Sequence, residues 1–203
     1  MFELTTLIKT IGYAGMAGIV FAESGLLIGF FLPGDSLLFT AGFLASQGYL
    51  DIWILSSVLF VSAVAGDSVG YSFGKKMGPK IFKKEDSIFF HKDHLEKAEL
   101  FFKKHGGKTI IFARFIPLVR TFAPILAGVG KMHYKTFIAY NVVGGFLWTF
   151  GLSFLGYYLG RVVPNVDKYL LPIVLLIILL SISPTVWQVV KDKPLRDKIL
   201  LQI

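Results

Sequence analysis

Long apolar runs make up most of the chain, and in most of them one or two charges fall at particular places. A helix that crosses a bilayer needs about 20 mostly apolar residues. Residues 136–160 and 169–190 meet that requirement without interruption, and Pro172 and Pro184 predict a kink or a shortened span in the second. The earlier runs are broken by Glu23 and Asp35, by Asp67 in 52–74, and by Arg114 and Arg120 in 109–130. Between 82 and 104 the pattern changes. Ile88, Phe89, Leu95, Leu100, Phe101 and Phe102 recur at roughly helical spacing among many charges, which predicts an amphipathic helix lying on a membrane surface.

Composition sharpens this pattern. Hydrophobic residues are 54% of the chain and charged residues 17%, whereas a soluble domain carries about a quarter charged residues. A water-soluble globule does not fit, and so apolar a chain is not disordered. With no cysteine, disulfide frameworks, zinc-thiolate and iron–sulfur sites and cysteine nucleophiles are excluded. His91 and His94 have no accompanying ligand cluster, so neither a metal nor a cofactor is expected. The start, Met1-Phe2-Glu3, lacks the basic residues and cleavage site of a signal peptide.

The net charge is +8, and residues 75–108 hold ten lysines against five acids. Flanked by apolar sequence, that segment reads as a cytoplasmic loop under the positive-inside rule, and not as a nucleic-acid surface. Residues 52–74 then run inward. The run 109–130 has Lys108 before it and Lys131 and Lys135 after it. It is expected to enter and return on the cytoplasmic side, a re-entrant hairpin with Pro117 and Pro124 near its tip. Residues 136–160 cross outward, 169–190 return, and the basic tail 191–203 is cytoplasmic.

The sequence also repeats itself weakly. Phe31-Leu32-Pro33 is followed by Ala41-Gly42 and, 28 residues after Gly42, by Gly70-Tyr71-Ser72-Phe73-Gly74-Lys75. Phe115-Ile116-Pro117 is followed by Ala127-Gly128 and, 28 residues after Gly128, by Gly156-Tyr157-Tyr158-Leu159-Gly160-Arg161. Each unit is a Pro-centred hairpin and then a full-length helix, and the topology makes the units inverted, a design of secondary transporters. The expected fold is thus an all-α polytopic membrane protein, a single membrane domain over 1–203. Its parts are a first repeat at 10–78, a basic amphipathic segment at 79–107, a second repeat at 108–161 and a C-terminal helix at 169–190.

An ionisable group inside a bilayer is a functional hypothesis by default. Arg114 and Arg120, with Pro117 bending the chain between them, can converge from either side of a hairpin tip, and their planar forks suit a phosphate. Neutralisation of buried acids is the alternative. Asp35 follows Pro33-Gly34 and reads equally as a helix cap or a proton carrier. Glu23 has no capping role and is the stronger proton-coupling candidate. It belongs either to a separate first helix starting near Thr10 or to the first hairpin. Asp67 sits in a ladder of Gly66, Gly70, Gly74 and Gly78 that permits close helix contact. It and Asn141 are supporting residues, read as pairing between helices.

Together these residues resemble the DedA family, whose shared region is also called the VTT or SNARE-associated domain. The matching segments are Phe21-Ala22-Glu23-Ser24 with Phe31-Leu32-Pro33-Gly34-Asp35-Ser36, Gly66-Asp67-Ser68-Val69-Gly70-Tyr71, and 112–121 with Arg114 and Arg120. Ala127-Gly128 and Asn141-x-x-Gly144-x-x-x-Trp148 complete the set. The resemblance implies movement of phospholipids or polyprenyl phosphates across a bacterial plasma membrane, with Glu23 and Asp35 as an acidic pair and Arg114 and Arg120 as a basic pair. The expected protein is therefore a lipid flippase or scramblase whose partner is a phosphate-bearing lipid. It is not an enzyme, and its self-association is left open. A proton- or cation-coupled exchanger of small solutes is the competing expectation.

Overall fold

Hydropathy accounts for the two longest helices, and glycine accounts for how closely the others approach them. A computed structural model of the protein describes residues 2–26, 34–81, 100, 102 and 104–162. Pro33, the basic segment at 82–99 and the C-terminal helix and tail expected at 169–203 lie outside the described residues. Every regular element among the described residues is helical.

Helix α1 (Phe2–Gly25) is bent at Gly12, whose φ of 56° lies in the left-handed region that a side chain strains to adopt. Gly12 thus divides this element in two, and Glu23 sits in the last turn of the second piece, which starts close to the expected Thr10. Helix α2 (Gly34–Ser46) follows, then α3 (Ile52–Ile81). Asp51 caps α3, its Oδ1 accepting the amides of Trp53 at 2.8 Å and Ile54 at 2.9 Å. Helix α4 (Lys108–Ala113) is short, α5 (Pro117–Val129) opens on a proline, and α6 (Tyr134–Val162) is long. Residues 52–78 of α3, 27 in all, and the 29 residues of α6 are apolar and long enough to cross a membrane. At 1.5 Å per residue each exceeds the roughly 30 Å hydrocarbon core.

The most extensive packing joins α2 to α6, α3 to α5 and α1 to α3. At the first crossing a Cβ on Gly42 would sit 2.0 Å from the Ser153 carbonyl oxygen, and one on Gly156 2.1 Å from that of Phe39. At the second, Gly74 meets the Ile125 carbonyl and Gly128 that of Tyr71, each at 2.1 Å. The glycine ladder of α3 is thus divided: Gly66 lies against Phe21 of α1, and Gly74 and Gly78 lie against α5. Gly42→Leu or Gly128→Leu should force the helices apart. Either is expected to cost about 1–3 kcal/mol or more, read as a lower Tm and less monodisperse protein in detergent.

Two apolar cores result. One gathers Leu37, Leu38, Leu44, Leu55, Leu59 and Ala63; the other gathers Tyr71, Ile110, Ala127, Met132 and Phe137. On α3, Asp67 falls between Ala63 and Tyr71, so a charged layer separates the cores. The ends of the bundle differ in charge. Gly78 packs on Val129, and Gly107 on the Tyr140 ring, which collects Lys75, Lys76, Lys108, Lys131 and Lys135 at one end. The other end joins Ser46 to Gly160 and Tyr13 to Asp51, whose amide donates to the Tyr13 hydroxyl at 2.7 Å. Large apolar side chains such as Trp53, Val61, Phe112, Phe146 and Leu147 point outward, a surface suited to lipid and costly in water.

Candidate functional site

The charged layer is built by a sharp turn. Helix α4 stops at Ala113, and the turn is closed by the Arg114 amide donating to the Ile111 carbonyl and the Phe115 amide to that of Phe112, each at 3.2 Å. Ile116 is extended (φ −113°, ψ 108°), as a residue before proline prefers, and Pro117 starts α5. Arg114 and Arg120 are therefore carried on either side of a turn at 114–116. Pro117 stands at that turn as expected, whereas Pro124 lies well inside α5 and plays no part in it.

The two arginines meet different acids. Arg114 Nη1 is paired with Asp67 Oδ2 and also donates to Asn141 Oδ1 at 2.7 Å. Asn141 Nδ2 in turn donates to the Val64 carbonyl at 3.2 Å, so Asn141 does bond between helices. Arg120 bridges two carboxylates, with Nη2 on Glu23 Oε1 and Nη1 on Asp35 Oδ1. Asp35 lies in the first turn of α2, where a carboxylate also complements the helix dipole.

Trp148 joins the two groups. The guanidinium carbon of Arg114 is 5.4 Å and that of Arg120 4.7 Å from its ring centroid, both within cation–π range. Its Nε1 donates to Asp35 Oδ1 at 2.8 Å. Glu23, Asp67 and Arg114 are 2–4% exposed, while the side chains of Arg120 and Asp35 are 11% and 17% exposed. The neutralising role weighed for the arginines is thus real in this conformation: both are ion-paired. The more accessible of them is Arg120.

Glu23 Oε2 is buried without a hydrogen-bond partner, as is Arg114 Nε. A Cβ on Gly34 would lie 1.6 Å from Glu23 Oε2, so only glycine lets the start of α2 approach this carboxylate. Gly34→Ala should push Glu23 off Arg120 without changing any charge. It is expected to reduce activity at least about tenfold, the equivalent of one charged hydrogen bond, while the folded amount changes much less.

Trp148 is the site residue that charge alone does not reveal. Its signal was its register, because Asn141, Gly144 and Trp148 recur at helical spacing and share one face of α6. A cavity of about 230 Å³ lined by Phe102, Gly107, Lys131, His133 and Thr136 lies at the far end of α5, away from these ion pairs.

This arrangement is carried by a recognisable sequence class. The VTT domain family matches residues 32–158, which include Asp35, Asp67, both arginines and Trp148. Protein DedA of Escherichia coli K12 is 44% identical over 183 residues, 89% of this chain and 83% of that protein. An uncharacterised membrane protein of Mycobacterium leprae is 48% identical over 82% of this chain and 74% of its own length. The inner membrane protein YqjA of Escherichia coli K12 is 35% identical over 78% of this chain and 76% of that protein. No solved structure matches. The chain is a membrane protein, helical in every regular element among its described residues, and belongs to the DedA family.

Proposed function

We propose that the chain carries a phosphate-bearing lipid, a polyprenyl phosphate or a phospholipid, across a bacterial cytoplasmic membrane. The single observation behind this reading is Arg120. It is a partly accessible guanidinium shared by two carboxylates, each of which can give up its place to a phosphate oxygen. A guanidinium fork accepts either partner with similar geometry. Transport then consists of partner exchange: Glu23 and Asp35 take up protons as they release Arg120, and return them when the phosphate leaves. Glu23 Oε2, unpartnered beside an engaged Oε1, is the natural place for the proton.

The packing supports the membrane arrangement this requires. From Tyr13 at the Asp51 end, α1 reaches the level of Gly66, and α2 returns to that end. Helices α4 and α5 do the same from the lysine end. These are two re-entrant hairpins from opposite sides, in inverted repeats whose glycine crossings echo one another, with the charged layer near the bilayer centre. The lysine-rich end is then cytoplasmic, as is the basic tail. The chain acts as a carrier and not as an enzyme, since partner exchange leaves every covalent bond of the lipid intact.

A second reading rests on the charge balance. Two arginines face three carboxylates, so neutrality requires one further proton or cation. A cation-coupled exchanger of small solutes would use the same imbalance. Protein reconstituted in liposomes separates the two: flux of a labelled phosphate-bearing lipid supports the first, and a proton or sodium current without added lipid phosphate supports the second.

A further inference from the structure

We infer that Trp148 is the positioning residue of this site, holding both guanidiniums and the Asp35 carboxylate in register while the ion pairs exchange. The transport arm of this inference rests on the proposed function; the geometric arm does not.

Each ion pair at the site depends on which partner is present, whereas Trp148 contacts three of the charged groups at once. Arg114 and Arg120 are permanently positive and repel each other in a low-dielectric interior. The negative face of one indole attracts both. At the ring edge, Nε1 is a donor only and shares Asp35 Oδ1 with Arg120. When Arg120 leaves Asp35 for another anion, the indole bond to Oδ1 remains and the carboxyl keeps its place for the return. Trp148 is itself 2% exposed and belongs to the apolar core that also holds Leu38 and Leu59. The other charged groups of this layer are Glu23 on α1, Asp67 on α3, Arg114 beside α4 and Arg120 on α5, of which Arg120 bonds Asp35 directly.

The geometric arm uses fluorescence of the full chain in detergent, with Trp53→Phe and Trp187→Phe leaving Trp148 as the reporter. Excitation moves electron density away from the Nε1 end of indole, so a carboxylate there lowers the emission energy. Asp35→Asn should therefore move the emission maximum to shorter wavelength. An unchanged maximum would remove the Nε1–Asp35 contact and overturn the inference.

The transport arm compares Trp148→Phe with Trp148→Leu in liposomes at matched folded amounts. Phenylalanine keeps a ring face but loses the donor, so lipid-phosphate flux should fall about tenfold. Leucine loses both, and flux should fall by about a further tenfold. Undiminished flux in Trp148→Phe would reduce Trp148 to core filling, and equal losses for Phe and Leu would remove the ring's hold on the arginines; either result overturns the inference. If the parent protein moves no phosphate-bearing lipid while the Asp35→Asn emission shift is present, the functional reading fails and the positioning geometry stands.

Discussion

Asp67→Leu should cost more folded protein than Arg114→Leu, although both substitutions break the same ion pair. The asymmetry lies in what each leaves behind. Without Asp67, a guanidinium 4% exposed keeps its charge, because arginine does not deprotonate in proteins. Asn141 Oδ1 and the Trp148 ring remain, and neither supplies a negative charge. Without Arg114, Asp67 can take up a proton and bury itself as a neutral acid. Breaking a buried pair costs about 3–5 kcal/mol. Asp67→Leu should show that full loss in thermal unfolding, and Arg114→Leu a smaller one. The double replacement should be more stable than Asp67→Leu alone, since it leaves no stranded charge. Equal losses for the two single variants would mean that water reaches the pair.

Arg120 should behave in the opposite way, losing activity before stability. Arg120→Gln removes the cation shared by Glu23 and Asp35 but strands no permanent buried positive charge. The folded amount should remain near that of the parent protein. Lipid-phosphate flux should fall by about a hundredfold or more, equivalent to about 3 kcal/mol. Arg120→Lys keeps the charge but not the fork. An ammonium cannot hold two acceptors in one plane as Nη1 and Nη2 do, and flux should fall by about tenfold. Full activity in Arg120→Gln would leave the phosphate to another group and overturn the role given to Arg120. The contrast with Arg114 matters for any mutational survey: loss of function at Arg114 is mixed with loss of folding, whereas at Arg120 it is not.

Much of this site was legible in the sequence because charge in an apolar run is conspicuous. Glu23, Asp35, Asp67, Arg114 and Arg120 stand out one by one, and the structure brings all five into one layer. Pairing was not legible. Sequence treats the arginines as equivalent, and only the fold assigns Arg114 to Asp67 and Arg120 to the acidic pair. Arg114 sits before Pro117 and faces α3, whereas Arg120, a turn into α5, faces α1 and α2. Trp148 was visible only as part of the family pattern and without a site role, because an aromatic residue in an apolar helix looks like core until its neighbours are known. The glycine ladder was read correctly as a contact surface, but a stripe on one helix does not say that α1 takes one part of it and α5 another. Pro124 misled because proline marks turns well in water-exposed chains, whereas membrane helices tolerate it in their interiors.

The pairing of the helices has a mechanical consequence. Helix α2 lies on α6, and α5 lies on α3. Where glycine lets backbones touch, sliding is hindered, so each such couple should travel as one block. The blocks therefore do not follow the order of the chain: α2 with α6 forms one, and α1, α3 and α5 form the other. Asp35 and Trp148 ride on the first, while Glu23, Asp67 and Arg120 ride on the second. Arg120 is thus bonded to Glu23 within its own block and to Asp35 across the seam, like a bolt seated in one door and thrown into the other.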